Sequence, residues 1–255
     1  MNKPLPKIVL LITFLFCGFL SAGKAVAQDP PEGDDVQIQL TLNQLLGEQD
    51  AARYKEILPT DEAISWEVYI PNNDSDRVPG VFVYVSPRIT GRIDSRWRTV
   101  MDQQNLIYIA ANLSGNQIRV NRRMVLALMA LKALEQQYSF NGDRIYVSGF
   151  SGGGRVASLL ASQYPEVFTG AIYICGVDFW KEKRTPRVDR LIQNRFVFLT
   201  GTRDFNLKET RSVYHRYLKA GALQSKLLII TGMTHEHPDA EALTEALVFL
   251  KGQDQ

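Results

Sequence analysis

Cysteine is almost absent from this sequence, which contains only Cys17 and Cys175 in 255 residues. Cys17 lies in an N-terminal apolar segment that we expect to be removed, so Cys175 would be the only cysteine of the mature chain. An intramolecular disulfide is then excluded, even in an oxidising compartment. Cys175 ends a strand-like apolar run, a setting more typical of a small buried side chain than of a nucleophile.

The sequence also lacks an apolar run long enough to cross a bilayer. The run at 8–20 has 13 residues, follows Lys3 and Lys7, and is followed by Ala25-Val26-Ala27. A basic start, a short apolar centre and an A-x-A site are typical of a secretory signal peptide. We predict a signal peptide at 1–27, a secreted or periplasmic location and no stable membrane anchor; an uncleaved N-terminal anchor is the alternative.

An excess of one charge is absent as well. Removing the three lysines of the leader changes the net charge from +2 to −1, and no basic stripe remains. This balance argues against a nucleic-acid partner.

The 228 remaining residues suffice for one domain. Residues 28–64 begin acidic and proline-rich, which predicts a partly disordered lead-in. A short strand at 36–40 is possible there, and we predict the main domain at 65–255.

From residue 65 onward, strand-like and helix-like segments alternate. The predicted strands are 66–70, 80–85, 106–110, 144–147, 171–175, 195–199 and 226–230, and the predicted helices are 93–103, 124–138, 156–164, 207–220 and 239–250. This alternation predicts an α/β fold with a mostly parallel central sheet and helices on both faces.

The pentapeptide Gly149-Phe150-Ser151-Gly152-Gly153 lies between a predicted strand and a predicted helix. A serine in so tight a turn requires small residues two positions away on each side. Its hydroxyl is then exposed beside helix N-terminal N–H groups that can bind an oxyanion. Ser151 is therefore the candidate nucleophile, and an ordinary glycine-rich loop before a helix is the alternative.

A serine nucleophile requires a base, and the chain has only three histidines. His215 falls within a predicted helix, where a surface or packing role is expected. His235 and His237 lie in the loop between the last predicted strand and the last predicted helix. We choose His235 as the base, with His237 as the alternative within reach.

The base requires a carboxylate to orient it, and the order in α/β-hydrolases is serine, acid, histidine. Asp204 follows the predicted strand 195–199 and is the candidate acid, although a helix N-cap explains an aspartate there equally well. Asp178, after the preceding strand, is the second candidate. Glu236 adjoins the histidine and is expected to be solvated.

The pentapeptide, Thr200-Gly201-Thr202-Arg203-Asp204 and the segment 232–238 resemble the secreted polyhydroxybutyrate-depolymerase and feruloyl-esterase branch of the α/β-hydrolases. The resemblance implies the α/β-hydrolase fold. It also implies Ser151 as nucleophile, His235 as general base and then acid, and Asp204 as the orienting carboxylate.

One segment departs from that pattern. Such enzymes often carry His-Gly after the third strand, whose backbone N–H completes the oxyanion hole, whereas this chain has Ser86-Pro87-Arg88. Proline has no N–H. The predicted donors are therefore Gly152 and Ser86, with Arg88 as the alternative to Ser86.

The rim of the site contains two further candidates. Only 19 residues separate Cys175 from Arg195, which predicts little or no lid and an open site suited to a polymer surface or a bulky ester. Trp180 and Asn112 are predicted substrate-binding residues. A packed aromatic residue and turn chemistry are the respective alternatives.

These features predict a secreted serine hydrolase that cleaves small-molecule or polymeric carboxylic esters through an acyl-enzyme. No metal and no cofactor are expected, since His235 and His237 form one pair without a third partner at diagnostic spacing. The alternatives are a non-catalytic binding protein with the same fold, motivated by Ser86-Pro87-Arg88, and an acyltransferase or peptidase with the same triad.

Overall fold

Eight strands form one sheet in the computed structural model, which describes residues 35–73, 75, 77–180 and 188–252. The predicted signal peptide at 1–27 lies outside the described residues. The strands are β1 (Asp35–Leu40), β2 (Ile64–Tyr69), β3 (Gly80–Val85), β4 (Leu106–Ala111), β5 (Ile145–Phe150), β6 (Gly170–Ile174), β7 (Arg195–Gly201) and β8 (Ser225–Ile230).

The strand order is β1-β2-β4-β3-β5-β6-β7-β8. β2 pairs antiparallel with both β1 and β4, and every pairing from β4 through β3 to β8 is parallel. The predicted α/β fold with a mostly parallel sheet is therefore confirmed. Because parallel strands end at the same edge, the loops after β3, β5, β6, β7 and β8 meet there.

The helices of the described chain are α1 (Leu42–Leu46), α2 (Glu48–Ala51), α3 (Arg98–Gln104), α4 (Val120–Glu135), α5 (Gly152–Gln163), α6 (Val188–Leu191), α7 (Leu207–Lys219) and α8 (Ala240–Lys251). Short 3₁₀ turns at Ala52–Tyr54 and Ser95–Trp97 follow α2 and precede α3. α5 begins directly after Ser151, four residues before the predicted start. The prediction started too late because the glycines at 152–154 have low helix propensity.

Both faces of the sheet are covered, and β3 shows how. Val81, Val83 and Val85 belong to a core cluster shared with α1, α4, α5 and α7. Phe82 and Tyr84 alternate with them and belong to a second cluster shared with α3 and α8. Successive strand side chains point to opposite faces, so a strand buried on both sides is apolar throughout.

The sheet domain extends further toward the N-terminus than the predicted start at residue 65. β1 pairs with β2 along six residues, from Asp35 opposite Tyr69 to Leu40 opposite Ile64. Leu42 and Leu58 lie fully buried in the core. The possible strand at 36–40 is thus a real edge strand, held in place by long-range pairing that local sequence does not reveal.

The described helices include none that has both the length and the apolar character needed to cross a membrane.

Candidate active site

Ser151 occupies a strained turn between β5 and α5. Its φ of 55° and ψ of −120° lie in a backbone region that residues other than glycine rarely adopt. The backbone N–H of Ser151 donates to the carbonyl of Ile174 over 2.8 Å, which continues the β5–β6 pairing into the turn. The surrounding structure therefore holds the strained residue in place.

The glycines of the pentapeptide are required by close backbone packing. A Cβ at Gly149 would overlap the backbone of Gly153, and a Cβ at Gly153 would overlap the carbonyl oxygen of Val85 in β3. Gly176, after β6, packs in the same way against the carbonyl of Ser151. The turn at 149–153, here called the elbow, thus packs between the ends of the two neighbouring strands β3 and β6, which leaves no space for side chains at these glycines.

A continuous chain of hydrogen-bonding atoms joins Ser151, His235 and Asp204. Nε2 of His235 lies 2.9 Å from Oγ of Ser151, and Nδ1 lies 2.9 Å from Oδ1 of Asp204. The side chain of Asp204 is completely buried and that of His235 is 21% exposed. The structure brings together three residues that are 84 and 31 positions apart in the chain.

The carboxylate of Asp204 has further partners. Oδ2 accepts a hydrogen bond from the hydroxyl of Thr200 over 2.7 Å, and Oδ1 accepts one from the backbone N–H of Asn206 over 3.0 Å. Burial acts to raise the pKa of Asp204, but the hydrogen bonds from Asn206, Thr200, Cys175 and His235 outweigh it, and the pKa is lowered. Asp204 is therefore held as an anion facing the imidazole.

The second candidate residues have other contacts. Asp178 accepts a hydrogen bond from Arg155 over 2.8 Å. Glu236 is exposed and accepts hydrogen bonds from the backbone and hydroxyl of Thr234. His215 is an exposed residue of α7. None of the contacts made by these three side chains is with Ser151.

His237 lies two residues from His235 but has different neighbours. Its Nε2 lies 3.1 Å from the hydroxyl of Tyr84, at the end of β3, and its Nδ1 lies 3.3 Å from Oδ2 of Asp94. Burial lowers the pKa of His237, and the hydrogen bond to Asp94 only partly offsets that effect. His237 therefore anchors the loop that presents His235.

Two aromatic rings flank the imidazole of His235. The ring of Phe150, which precedes Ser151, lies 4.8 Å from it, and that of Phe205, which follows Asp204, lies 4.1 Å from it. Phe205 is 75% exposed. The sequence pattern gave no sign of Phe205, because a single exposed phenylalanine beside a turn belongs to no apolar period.

The two predicted oxyanion-hole residues, Gly152 and Ser86, lie close together, since the side chain of Arg123 donates to the backbone carbonyls of both. The backbone N–H of Gly152 is the first of α5, where a helix has no internal acceptor for it. Ser86 is buried directly after β3, and its Oγ accepts the backbone N–H of Arg88 over 3.0 Å. The Arg88 N–H is thus already engaged, while Ser86 retains a hydroxyl proton to donate.

Two further polar side chains, Arg123 and Asn116, lie at the same place. Arg123 in α4 donates to the carbonyls of Gly152 and Ser86. The side-chain amide of Asn116 packs against Gly152, so closely that its Oδ1 would overlap a Cβ on Gly152. The backbone N–H of Asn116 donates to the carbonyl of Pro87 over 3.0 Å. Arg123 lies outside the predicted helix 124–138, whereas the observed α4 begins at Val120 and buries it.

The predicted substrate-binding residues have partners within the protein. Asn112 donates to Ser65 and Glu67 and accepts from the backbone of Gly91, so its amide connects β2, β4 and the loop after β3. Trp180 stacks on Phe179 and contacts the ring of Tyr217 in α7. Substrate contact by either residue stays a prediction. The predicted lack of a lid concerns a segment of which 181–187 lie outside the described residues.

Cys175 adjoins the acid. Its sulfur, the carboxylate of Asp204 and the ring of His235 lie within 4.8 Å of one another. Burial raises the pKa of the Cys175 thiol well above its usual range, with Asp204 adding to the effect. The thiol therefore stays protonated and donates toward its neighbours, and its backbone carbonyl accepts the side-chain amide of Asn206 over 2.8 Å.

The sheet order, the strained serine turn and the Ser151–His235–Asp204 contacts define the class: the chain has the α/β-hydrolase fold. Residues 114–187 match the family described as esterase PHB depolymerase, a segment that includes Ser151. No curated protein sequence matches the chain at a significant level.

Solved structures share the fold at low sequence identity. A ferulic acid esterase is 14% identical with a TM-score of 0.60 and covers 86% of this chain and 98% of its own. LpqC, a poly(3-hydroxybutyrate) depolymerase from Bordetella parapertussis, is 15% identical with a TM-score of 0.59, over 87% and 91%. Dipeptidyl peptidase 4 of Porphyromonas gingivalis is 16% identical with a TM-score of 0.55, over 74% and 33%. The chain thus resembles the esterases, within a fold that includes peptidases.

Proposed function

We propose that the protein is a serine esterase that hydrolyses carboxylic esters through an acyl-enzyme. The observation that supports this most strongly is the hydrogen-bond chain from Ser151 through His235 to the buried anion Asp204. The partial match to the esterase family, over residues 114–187, favours an ester as the substrate.

In the proposed reaction, Oγ of Ser151 attacks the ester carbonyl while Nε2 of His235 takes its proton. Asp204 holds the proton of His235 on Nδ1, which leaves Nε2 free to act as the base. The tetrahedral intermediate collapses, and the alcohol leaves with the proton from His235. Water then attacks the acyl-enzyme by the same route, which releases the carboxylic acid and restores Ser151.

The developing oxyanion requires donors on one side of Ser151. The backbone N–H of Gly152 supplies one, and the hydroxyl or backbone N–H of Ser86 supplies the other. Ser86 would thus take over the function of the loop N–H that Pro87 lacks. The exposed ring of Phe205 beside His235 offers an apolar surface to the ester.

We test the function with a fluorophosphonate probe and with p-nitrophenyl esters of short acids. The wild type should be labelled and should hydrolyse the esters, and Ser151→Ala should lose labelling and about 10⁴- to 10⁶-fold in kcat. Ser212→Ala, an exposed serine of α7, is the matched control. Absence of labelling in the folded wild type would contradict the proposal, and faster cleavage of matched anilides would indicate a peptidase.

We also propose that the chain is exported, on the sequence pattern of residues 1–27 alone. Cell fractionation with N-terminal sequencing tests this. A mature protein that begins at Gln28 outside the cytoplasm is expected, and retention of Met1 on cytoplasmic protein would contradict it.

A further inference from the structure

Arg123 is a buried charge that the proposed reaction does not use. It lies in α4, only 3% exposed. Nη1 donates to the carbonyl of Gly152 over 3.2 Å and Nη2 to the carbonyl of Ser86 over 3.0 Å. Nε is buried without a partner. Because arginine is almost never fully buried unless it is paired, its position here requires a reason.

The two carbonyls belong to the two residues proposed as oxyanion donors. Gly152 begins α5, and Ser86 follows β3. The pairing of β3 with β5 ends at Val85 opposite Gly149, so no strand ladder extends as far as Ser86 and Gly152. The guanidinium of Arg123 joins these two segments just beyond the end of the sheet. Its planar group, with donors at fixed positions, suits a bridge of this kind.

The charge of Arg123 is not neutralised by a nearby acid. Its two hydrogen bonds go to carbonyl oxygens, and no ion pair links it to a carboxylate within the described ranges. Burial alone lowers its pKa, to about 10, so it stays charged at neutral pH. An uncompensated cation in a region of low dielectric favours negative charge that develops close by.

We propose that Arg123 is a positioning residue of the oxyanion hole. Its guanidinium holds Gly152 and Ser86 at a fixed separation, and its charge favours the oxyanion over the neutral ester carbonyl. The inference rests on the proposed serine-esterase function. It predicts an effect that belongs to the transition state, because substrate binding in the ground state involves no oxyanion.

The test compares Arg123→Met and Arg123→Lys with Arg122→Met in the complete chain. Arg122 is the adjacent residue of α4, and its guanidinium pairs with Glu62 instead. Arg123→Met should lose about 10- to 100-fold in kcat with little change in KM, and inhibition by a trifluoromethyl ketone analogue should weaken in parallel. Arg123→Lys keeps the charge and should recover part of the loss, while Arg122→Met should stay near the wild type.

Circular dichroism and thermal unfolding establish which variants fold. If Arg123→Met does not fold, Arg123→Lys decides: a lower kcat at unchanged KM supports the inference, and activity near the wild type overturns it. A folded Arg123→Met with unaltered kcat, or with a change in KM alone, also overturns it. Wild-type protein without Ser151-dependent turnover would instead contradict the proposed function, and this inference with it.

Discussion

Nδ1 of His235 lies 2.9 Å from Oδ1 of Asp204, and the Asp204 side chain is completely buried while the imidazole is partly exposed. Because the buried Asp204 carboxylate accepts a hydrogen bond from Nδ1, the proton of the neutral imidazole stays on Nδ1. Nε2 is then unprotonated and faces Ser151. The pair therefore specifies both the orientation and the tautomer of the base.

Asp204→Asn tests that relationship with almost no change in shape. The amide of asparagine can present an N–H toward Nδ1, which favours the wrong tautomer, so we expect kcat to fall by about 10³- to 10⁴-fold in a folded protein. Asp178→Asn, the second candidate acid from the sequence, is the control and should change kcat little. Greater loss in Asp178→Asn than in Asp204→Asn would contradict the assignment.

His237 predicts a pH dependence of stability. Burial lowers its pKa below the ordinary 6.5, so the unfolded chain binds a proton at pH values where the folded protein does not. Its contribution to stability is thus present above about pH 6.5 and is lost as the pH falls through the folded-state pKa. We expect His237→Gln to flatten the dependence of Tm on pH between about 7 and 5.

The control for this measurement is His215→Gln, a change at an exposed position of α7. It should leave the slope of Tm against pH as in the wild type. An unchanged slope in His237→Gln, or an equal change in both variants, would show that His237 does not carry the effect.

Gly153→Ala tests the close packing of the elbow. Its methyl group would overlap the carbonyl of Val85, a backbone atom that cannot move aside, so we expect a loss of about 2–3 kcal/mol in the free energy of unfolding. Gly142→Ala meets nothing within 4 Å and should change stability by less than about 0.5 kcal/mol. Urea unfolding measures both, and equal stabilities would refute the packing argument.

Asn112 and Asn116 should separate stability from activity. Asn112→Ala removes three hydrogen bonds within the protein and should cost about 1–3 kcal/mol of unfolding free energy. Asn116→Ala removes an amide next to Gly152 and should lower kcat/KM by about tenfold with little change in stability. Urea unfolding and ester kinetics are measured on both variants. A large loss of kcat/KM at unchanged stability in Asn112→Ala would instead support the predicted substrate contact of Asn112.

Much of the site was predictable because its residues lie at strand ends. Ser151, Asp204 and His235 each follow a strand whose apolar run is visible in the sequence, and parallel strands end at one edge. The sequence predicted His235 as the base but kept His237 as the alternative, since both lie in one loop. Contacts with Tyr84 and Asp94, far away in the chain, separate them.

The N-terminal boundary shows the same limit. The segment at 36–40 had a weak strand pattern, and only its pairing with β2 places it in the sheet. Arg123 is similar: it lies just before the predicted helix 124–138, and nothing in the local sequence indicates the two carbonyls that it contacts. Long-range partners decided both cases.

The local sequence was sufficient to predict the α/β alternation, the turn at Ser151 and the chain order serine, acid, histidine. These features depend on short-range propensity and spacing. Three features depend on residues that only folding brings together. They are the contact of His235 with Asp204, the burial of Asp204, and the bridge from Arg123 to Gly152 and Ser86. Hydrogen bonds and burial act over a few ångströms of space, whatever the separation along the sequence.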